Sequence, residues 1–150
     1  MTDKMKEPLL VPSQWQFNYL YSYGRVSRFF REVMENKKIY ATRCNSCKFT
    51  WSPPRGGCPK CHGELEWVPL SGEGTITSYC IVYVGTSEFD HEVPYAVGYI
   101  RMDGCDTSMY QRIYTKDLKK LRVGLRVKAA FKEDRQGTVN DFYFVPLSSV

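Results

Sequence analysis

Four cysteines in this 150-residue chain are spaced in a way that suits the binding of one metal ion. They form two Cys-x2-Cys pairs separated by ten residues: Cys44 and Cys47, then Cys58 and Cys61. Each pair directs two sulfur atoms to the same side of a short loop, and four thiolates together complete a tetrahedral coordination shell. The sequence therefore predicts a metal site with these four residues as its ligands.

Two metals suit a set of four thiolates, and we expect zinc rather than iron. Rubredoxin-type redox proteins hold iron with the same ligands. A closed four-cysteine site that stabilises a small module, however, needs no redox chemistry. His62 directly follows Cys61, but four cysteines already fill the shell, so we interpret His62 as a knuckle or surface residue. Iron stays the alternative metal.

The remaining reactive side chains are too few to predict an enzyme. Cys80 and Cys105 have no partner at motif spacing, and we expect each to be a small buried residue. The chain has two histidines, His62 and His91, so a Cys-His or Ser-His pair has few ways to form. Three acidic residues surround His91, and we interpret them as a solvated loop: Glu88, Asp90 and Glu92.

A β-strand is predicted on each side of the cysteines, at residues 39–43 and 65–68, which is the arrangement of a zinc ribbon. After a turn at residues 71–74, β-branched and aromatic residues concentrate in five further runs. These runs are residues 75–84, 95–102, 107–114, 125–132 and 139–145. Five short strands in so few residues favour a small closed barrel over a sandwich. A helical turn is predicted at residues 117–121.

Two helices are predicted before the ribbon. Ser13 and Gln16 have the form of a capping box, which predicts a short helix to about Leu20. From residue 25 to residue 35, apolar side chains recur with a helical period. They are Val26, Phe29, Phe30, Val33 and Met34. This pattern predicts an amphipathic helix that packs on the ribbon or the barrel, and contact with a partner protein is the alternative.

Composition and charge exclude several classes of protein. Hydrophobic residues make up 43% and charged residues 25% of the chain, which excludes collagen, coiled coil and wholesale disorder. We expect no membrane span and a cytoplasmic location, because no apolar run is long enough for a span or a signal peptide. The net charge is +4 over residues 1–43, +1 over 44–70, −5 over 71–111 and +5 over 112–150. The basic flanks indicate solvated surface, a phosphate-bearing ligand or an acidic partner.

The arrangement as a whole resembles a known family. The motifs that carry the resemblance are Tyr19-x-Tyr21-x-Tyr23-Gly24, Thr42-Arg43-Cys44-x2-Cys47, Pro53-Pro54-Arg55, Cys58-Pro59-x-Cys61 and Trp67-x2-Leu70-Ser71-Gly72-x-Gly74. Over residues 15–146 the chain is similar to acyl-CoA-associated proteins that couple a rubredoxin-like zinc ribbon to an OB-fold. The resemblance implies a mainly β fold. It has an N-terminal arm and helices in residues 1–37, the ribbon in 38–70 and a five-stranded OB-fold barrel in 71–150.

The resemblance also implies a non-catalytic accessory subunit. Proteins of this family bind acyl-CoA, or join a thiolase to a condensing enzyme such as hydroxymethylglutaryl-CoA synthase. A CoA ligand calls for basic groups beside aromatic and apolar surface. The candidate residues for it are Tyr19, Tyr21, Tyr23, Arg25, Arg28, Arg31 and Arg55. Ordinary solvated charge is the alternative interpretation of the arginines.

An OB-fold also suits a second function, the binding of single-stranded nucleic acid. Aromatic residues for base stacking would be Tyr99, Tyr110 and Tyr114. Basic residues for phosphates would be Lys116, Lys119, Lys120, Arg122, Arg126 and Lys128. The acidic segment of residues 71–111 would repel a phosphate backbone from the first three barrel strands, so this function is the alternative. An independent enzyme or electron carrier ranks third.

Overall fold

The computed structural model describes residues 10–85 and 93–147 of the chain. Three antiparallel strands form one sheet in the order β2-β1-β3. Their bounds are Tyr40–Cys44 for β1, Thr50–Trp51 for β2 and Leu65–Pro69 for β3. The two predicted ribbon strands are β1 and β3, whereas β2 is too short for a sequence pattern to find. The predicted loop around His91 lies outside the described residues.

Five further strands close into a barrel with the neighbour order β4-β5-β6-β8-β7, and β7 pairs back with β4. The bounds are Glu73–Val82 for β4, Tyr95–Met102 for β5, Ser108–Ile113 for β6, Arg126–Phe131 for β7 and Phe142–Pro146 for β8. The β6–β8 pair is parallel and the other pairs are antiparallel. The predicted five-stranded barrel is therefore confirmed. The turn predicted between its third and fourth strands is a short 3-10 helix at Leu118–Lys120.

A β-bulge in β4 explains why Cys80 is exposed rather than buried as expected. The register of β4 against β5 shifts between Ile76 and Ser78. Before the shift the even-numbered residues Gly74 and Ile76 are buried, and after it Tyr79 points inward while Cys80 is exposed. An extra residue in one strand moves the following side chains to the opposite face. A simple alternation therefore assigns the wrong face to Cys80.

One of the two predicted N-terminal helices is present. A 3-10 turn at Gly24–Val26 leads into α1, Ser27–Asn36, which buries Phe29 and Val33. Residues 10–23 form no helix, so the helix predicted from Ser13 to Leu20 is wrong. The Ser13 hydroxyl accepts a hydrogen bond from the Trp15 indole. An isolated helix of this length is unstable in water unless one face is buried. The side chains of residues 13–20 are all exposed.

Helix α1 contacts both sheets. The Phe29 ring lies 6.0 Å from the ring of Phe142 on β8, which joins the helix to the barrel. On the other side the Arg28 guanidinium lies 5.4 Å from the Tyr40 ring and 5.5 Å from the Trp67 ring. The prediction that this helix packs on the ribbon or barrel is confirmed for both.

Hydrogen bonds also join the ribbon to the barrel directly. The N–H of Thr50 donates to the Asp106 carboxylate at 2.8 Å, and the N–H of Asp106 donates to the Thr50 carbonyl at 3.0 Å. Ser52 exchanges a similar pair of bonds with the Thr107 hydroxyl, at 2.8 and 2.9 Å. One hydrophobic core contains residues of α1, the ribbon and the barrel. The domain boundaries after residues 37 and 70 stay a prediction.

Candidate metal centre and neighbouring surfaces

The four predicted ligands form one compact sulfur cluster. Their Sγ atoms all lie within 4.8 Å of one another. The shortest separations are 3.4 Å between Cys44 and Cys61, 3.6 Å between Cys47 and Cys58, and 3.7 Å between Cys58 and Cys61. Four sulfurs at 2.3 Å from a central zinc would be about 3.8 Å apart. A disulfide needs about 2.0 Å, so the spacing fits a metal and not a disulfide pair.

Two loops of matching backbone geometry present these sulfurs. In each loop the N–H of the residue after the second cysteine donates to the carbonyl of the first, from Lys48 to Cys44 at 3.0 Å and from His62 to Cys58 at 2.9 Å. Lys48 and His62 both adopt left-handed backbone, with φ of 60° and 57°. This tight turn directs the two cysteines of each pair to the same side. His62 is exposed and is not part of the cluster.

Backbone amides and neighbouring sulfurs shift the thiol pKa values of the cluster in opposite directions. The N–H of Cys47 is the main cause that lowers the pKa of Cys44. Burial raises the pKa of Cys58, but amides including that of Cys61 lower it to about 6. The Gly63 amide lowers the pKa of Cys61, yet hydrogen bonds with the other sulfurs raise it to about 11. Thiols this close titrate together, and a bound cation would favour all four as thiolates.

The two other cysteines stand apart from this cluster. Cys105 is 9% exposed and lies in the hydrophobic core, so its expected role as a small buried residue is confirmed. Burial raises the pKa of the Cys105 thiol to about 11, which leaves it an unreactive thiol near neutral pH. Cys80 lies on the barrel surface.

The three candidate tyrosines belong to an exposed segment that we call the aromatic arm, residues 10–23. Tyr19 and Tyr21 are 76% and 69% exposed. Their ring centroids lie 6.0 Å apart, and those of Tyr21 and Tyr23 lie 5.4 Å apart. The Tyr23 ring stacks on Phe30 of α1 with a centroid distance of 4.0 Å. The tyrosines therefore form a row that starts at the helix.

The four candidate arginines differ in what they contact. The Arg25 guanidinium donates to the Gly56 carbonyl at 3.1 Å, and Arg28 lies over the rings of Tyr40 and Trp67. These two side chains hold α1 on the ribbon. Arg31 and Arg55 are exposed. The sequence could not distinguish these roles, because the carbonyl that Arg25 contacts is 31 residues away.

The structure separates two of the three aromatic candidates from the basic residues that the alternative function would need together. The third, Tyr114, lines one surface groove with Lys116, Lys120, Arg122 and Lys128. Tyr99 and Tyr110 form an exposed pair on β5 and β6 with a centroid distance of 5.3 Å. Arg126 is occupied by the carboxylates of Asp103 and Glu73, at 2.6 and 3.1 Å. The other basic candidates lie on β7 and on the connection between β6 and β7.

A four-cysteine ribbon joined to a closed five-stranded barrel defines a class of two-part ribbon and OB-fold proteins. The family model described as ChsH2, C-terminal OB-fold domain, matches residues 67–132. Together with the relatives below, this match confirms the resemblance found in the sequence: the chain matches the OB-fold DUF35 family.

Two curated relatives are each named a DUF35 domain-containing scaffold protein. One, from Methanocaldococcus jannaschii, is 28% identical over 120 residues, which are 79% of this chain and 84% of the relative. The other, from Methanothermobacter thermautotrophicus, is 27% identical over 111 residues, covering 73% of this chain and 83% of the relative.

Two solved structures have a similar fold. The chain from a structure named Ltp2-ChsH2(DUF35) aldolase has a TM-score of 0.66 at 20% identity, and the match covers 85% of this chain and 98% of that one. A DUF35-family protein with unknown function from Sulfolobus solfataricus has a TM-score of 0.63 at 19% identity, with 85% and 89% covered. At this identity the likeness extends to the fold alone.

No helix within residues 10–85 or 93–147 has the length and apolar character that crossing a bilayer requires.

Proposed function

We propose that this chain is a non-catalytic accessory subunit, a scaffold that holds a thiolase-superfamily enzyme. The relatives named scaffold proteins support the general role. The similar structure whose name includes an aldolase supports an association with an enzyme. The feature of this chain that carries the proposal is the aromatic arm.

The aromatic arm leaves a large apolar surface exposed to solvent. Trp15, Phe17, Tyr19 and Tyr21 are each between 69% and 78% exposed. Aromatic side chains bury about 150–250 Å² each, so at these exposures the four offer roughly 450–750 Å². One side of a standard protein interface buries about 800 Å². A contiguous exposed apolar surface of this size is typical of a docking site.

The arm also has the pattern of a segment that lies against another protein. Its aromatic residues occupy every second position from 15 to 23, and residues 8–24 carry no charged side chain. No N–H or C=O group of residues 10–22 makes a backbone hydrogen bond within the described chain. A segment with alternating aromatic side chains and unpaired backbone groups can add as a strand to the edge of a partner's sheet, with its aromatic side chains in an apolar groove. Because residues 8–24 carry no charge, we expect the arm to bind a protein surface rather than a phosphate group.

The finer proposal is that the partner enzyme makes acyl-CoA, which this subunit helps to transfer to a condensing enzyme such as hydroxymethylglutaryl-CoA synthase. The sequence resemblance is its basis. The exposed candidates Arg31 and Arg55 remain available for a CoA ligand at the helix and the ribbon loop. We propose Zn²⁺ for the four cysteines, because a site closed by four thiolates stabilises a ribbon and leaves no position for catalysis.

Co-purification of the tagged full chain from its native cell tests the proposed function. We expect a thiolase-superfamily enzyme to co-purify with the wild-type chain. Replacing Trp15, Phe17 and Tyr19 together by serine should lower the recovered enzyme at least tenfold, because interface aromatics contribute about 2 kcal/mol or more each.

The matched control replaces exposed aromatics outside the arm, Tyr99 and Tyr110, by serine. We expect this variant to retain the enzyme. Recovery of RNA without a thiolase-superfamily enzyme would overturn the proposed function, and undiminished recovery with the arm variant would show that another surface docks the partner.

A further inference from the structure

An open groove lies beside the barrel, and its lining residues include none of the four cysteines and no residue of the aromatic arm. It is bounded by residues 114–117, 120–122 and Leu125 of the connection between β6 and β7, by Lys128 of β7 and by residues 145–147 at the end of β8, and its volume is about 690 Å³. Volumes of about 300–1,000 Å³ are typical of sites for small molecules. We call this feature the basic groove.

Four cations without acidic partners line the basic groove: Lys116, Lys120, Arg122 and Lys128. Within residues 10–85 and 93–147, none of their side chains forms an ion pair or a hydrogen bond. The groove contains one carboxylate, that of Asp117, which accepts a hydrogen bond from the N–H of Lys119 and caps the 3-10 helix. The groove therefore has an excess of positive charge.

Two other arginines, by contrast, hold the fold together. Arg126 binds two carboxylates. The Arg135 side chain donates to the carbonyls of Met34, Lys132 and Glu133. None of the four groove side chains makes such a contact within the described residues. Charges of one sign that converge in a cleft attract a ligand of the opposite sign.

The floor of the basic groove is apolar. Leu121 is 4% exposed and belongs to the core, and Leu125 packs against that core. Pro146 and Leu147 complete this side of the groove. A site with cations at its rim and aliphatic side chains at its base suits a ligand that carries an anionic group and an apolar stem.

We propose that the basic groove binds a small phosphate-bearing ligand with an apolar stem. Of its lining residues only Tyr114 is aromatic, and the exposed Tyr99–Tyr110 pair is not among them, so a strand of nucleic acid would find one stacking ring beside these cations and not a row of rings. The proposal deepens the acyl-CoA part of the proposed function and rests on it only for the identity of the ligand. The proposal places the main anion-binding site on the barrel rather than on α1.

Calorimetric titration of the full chain with ADP and with coenzyme A at low salt tests this assignment. We expect both probes to bind, and Lys120→Glu to weaken binding at least tenfold, because a charge-assisted contact is replaced by repulsion. Lys119→Glu is the matched control. It makes the same charge change on the same turn but outside the lining of the groove, and it should weaken binding less than about threefold, given screening by salt.

The remaining outcomes separate this inference from the proposed function. If Arg31→Glu abolishes coenzyme A binding while Lys120→Glu leaves it unchanged, the site is on α1 and the groove assignment is wrong. Binding of ADP that depends on Lys120, without binding of coenzyme A, supports the groove and contradicts acyl-CoA handling. Binding of neither probe, or tighter binding of a short oligothymidylate, overturns the inference, whereas co-purification of the enzyme tests the scaffold role separately.

Discussion

Gly63 leaves the space in which the sulfur cluster is packed. A Cβ at this position would lie 2.7 Å from the Ser46 Oγ and 3.1 Å from the Cys44 Sγ. Rotation of the Ser46 hydroxyl can relieve the first contact, whereas the second is tight, as is the 3.1 Å distance to the Ser46 Cβ. The amide of Gly63 also donates toward the Cys61 sulfur. A glycine here therefore supports two of the four ligands without being a ligand.

We predict that Gly63→Ala lowers the affinity for zinc by about tenfold or more, in the range found when groups that orient metal ligands are changed. Competition with a chromogenic chelator measures the affinity, and elemental analysis of the purified chain identifies the metal. Gly57→Ala is the control, since a Cβ there meets no atom within 4 Å. Equal affinities for the two variants would contradict the role of Gly63, and iron in place of zinc would contradict the proposed metal.

Cysteine spacing was sufficient to predict the cluster, because each pair is brought together by a turn of four residues. The functions of the arginines were not predictable in the same way. Arg25 and Arg28 have the sequence pattern of exposed helix charges, yet their contacts with Gly56, Tyr40 and Trp67 depend on how α1 docks on the ribbon. Such contacts are set by the tertiary fold and leave no local signal.

Among the connecting elements, the loop before β8 is organised around one buried carboxylate. Asp141 is 3% exposed. It accepts hydrogen bonds from the N–H groups of Gln136, Gly137 and Thr138 at 3.0, 2.7 and 2.9 Å. Burial raises the pKa of Asp141, but these donors outweigh it and hold the pKa below its ordinary value. The same loop contacts α1 through Arg135, so the carboxylate supports the docking of the helix.

We predict that Asp141→Asn lowers the free energy of unfolding by about 2 kcal/mol at pH 7, because charge-assisted hydrogen bonds become neutral ones. A depressed folded-state pKa stabilises the protein above the unfolded pKa of about 3.9, and this contribution is lost as the pH falls through the folded value. The difference from wild type should therefore shrink in acid. Urea titrations across pH measure it.

Asp134→Asn provides the comparison in the same loop, since Asp134 is exposed, and it should change stability by less than about 0.5 kcal/mol. A constant difference between wild type and Asp141→Asn from pH 7 down to acid would show that the charge of Asp141 is not what stabilises the loop.

Sequence periodicity predicted the elements whose side-chain pattern agrees with their packing. Helix α1 and strand β5 lie within a residue or two of the prediction. The helix from Ser13 was wrong because its aromatic residues alternate and find no core to pack on. A capping box is present instead at Thr138 and Asp141. Residue Cys80 was misplaced because a bulge is invisible to simple alternation.

In the whole molecule, the ribbon and the barrel share hydrogen bonds as well as a core. Strand β2 begins three residues after Cys47, and its Thr50 exchanges bonds with Asp106. Ser52, which follows β2, exchanges bonds with Thr107, and both partners precede β6. Loss of the metal would release the loop that leads into β2. Because binding to the folded state alone stabilises that state, the stability of the barrel is expected to depend on the metal.

We predict that removing the metal with a chelator lowers the hydrogen-exchange protection of amides in β5 and β6, at least tenfold, as well as that of the ribbon. Adding zinc back should restore it. In Thr107→Val, which lacks both side-chain bonds to Ser52, metal removal should affect the barrel less. If metal removal leaves the hydrogen-exchange protection of the barrel unchanged in the wild-type chain, the two sheets are energetically independent.

The aromatic arm has a consequence for the supply of this protein in the cell. A newly made chain carries a row of uncovered aromatic side chains, which chaperones and proteases recognise and which promotes aggregation. Under the proposed function, assembly with the partner enzyme covers that surface. We therefore expect unassembled copies of the chain to be degraded, so that the amount of the chain follows the amount of its partner. Accumulation of the subunit or of the complex would then require that both proteins are made together.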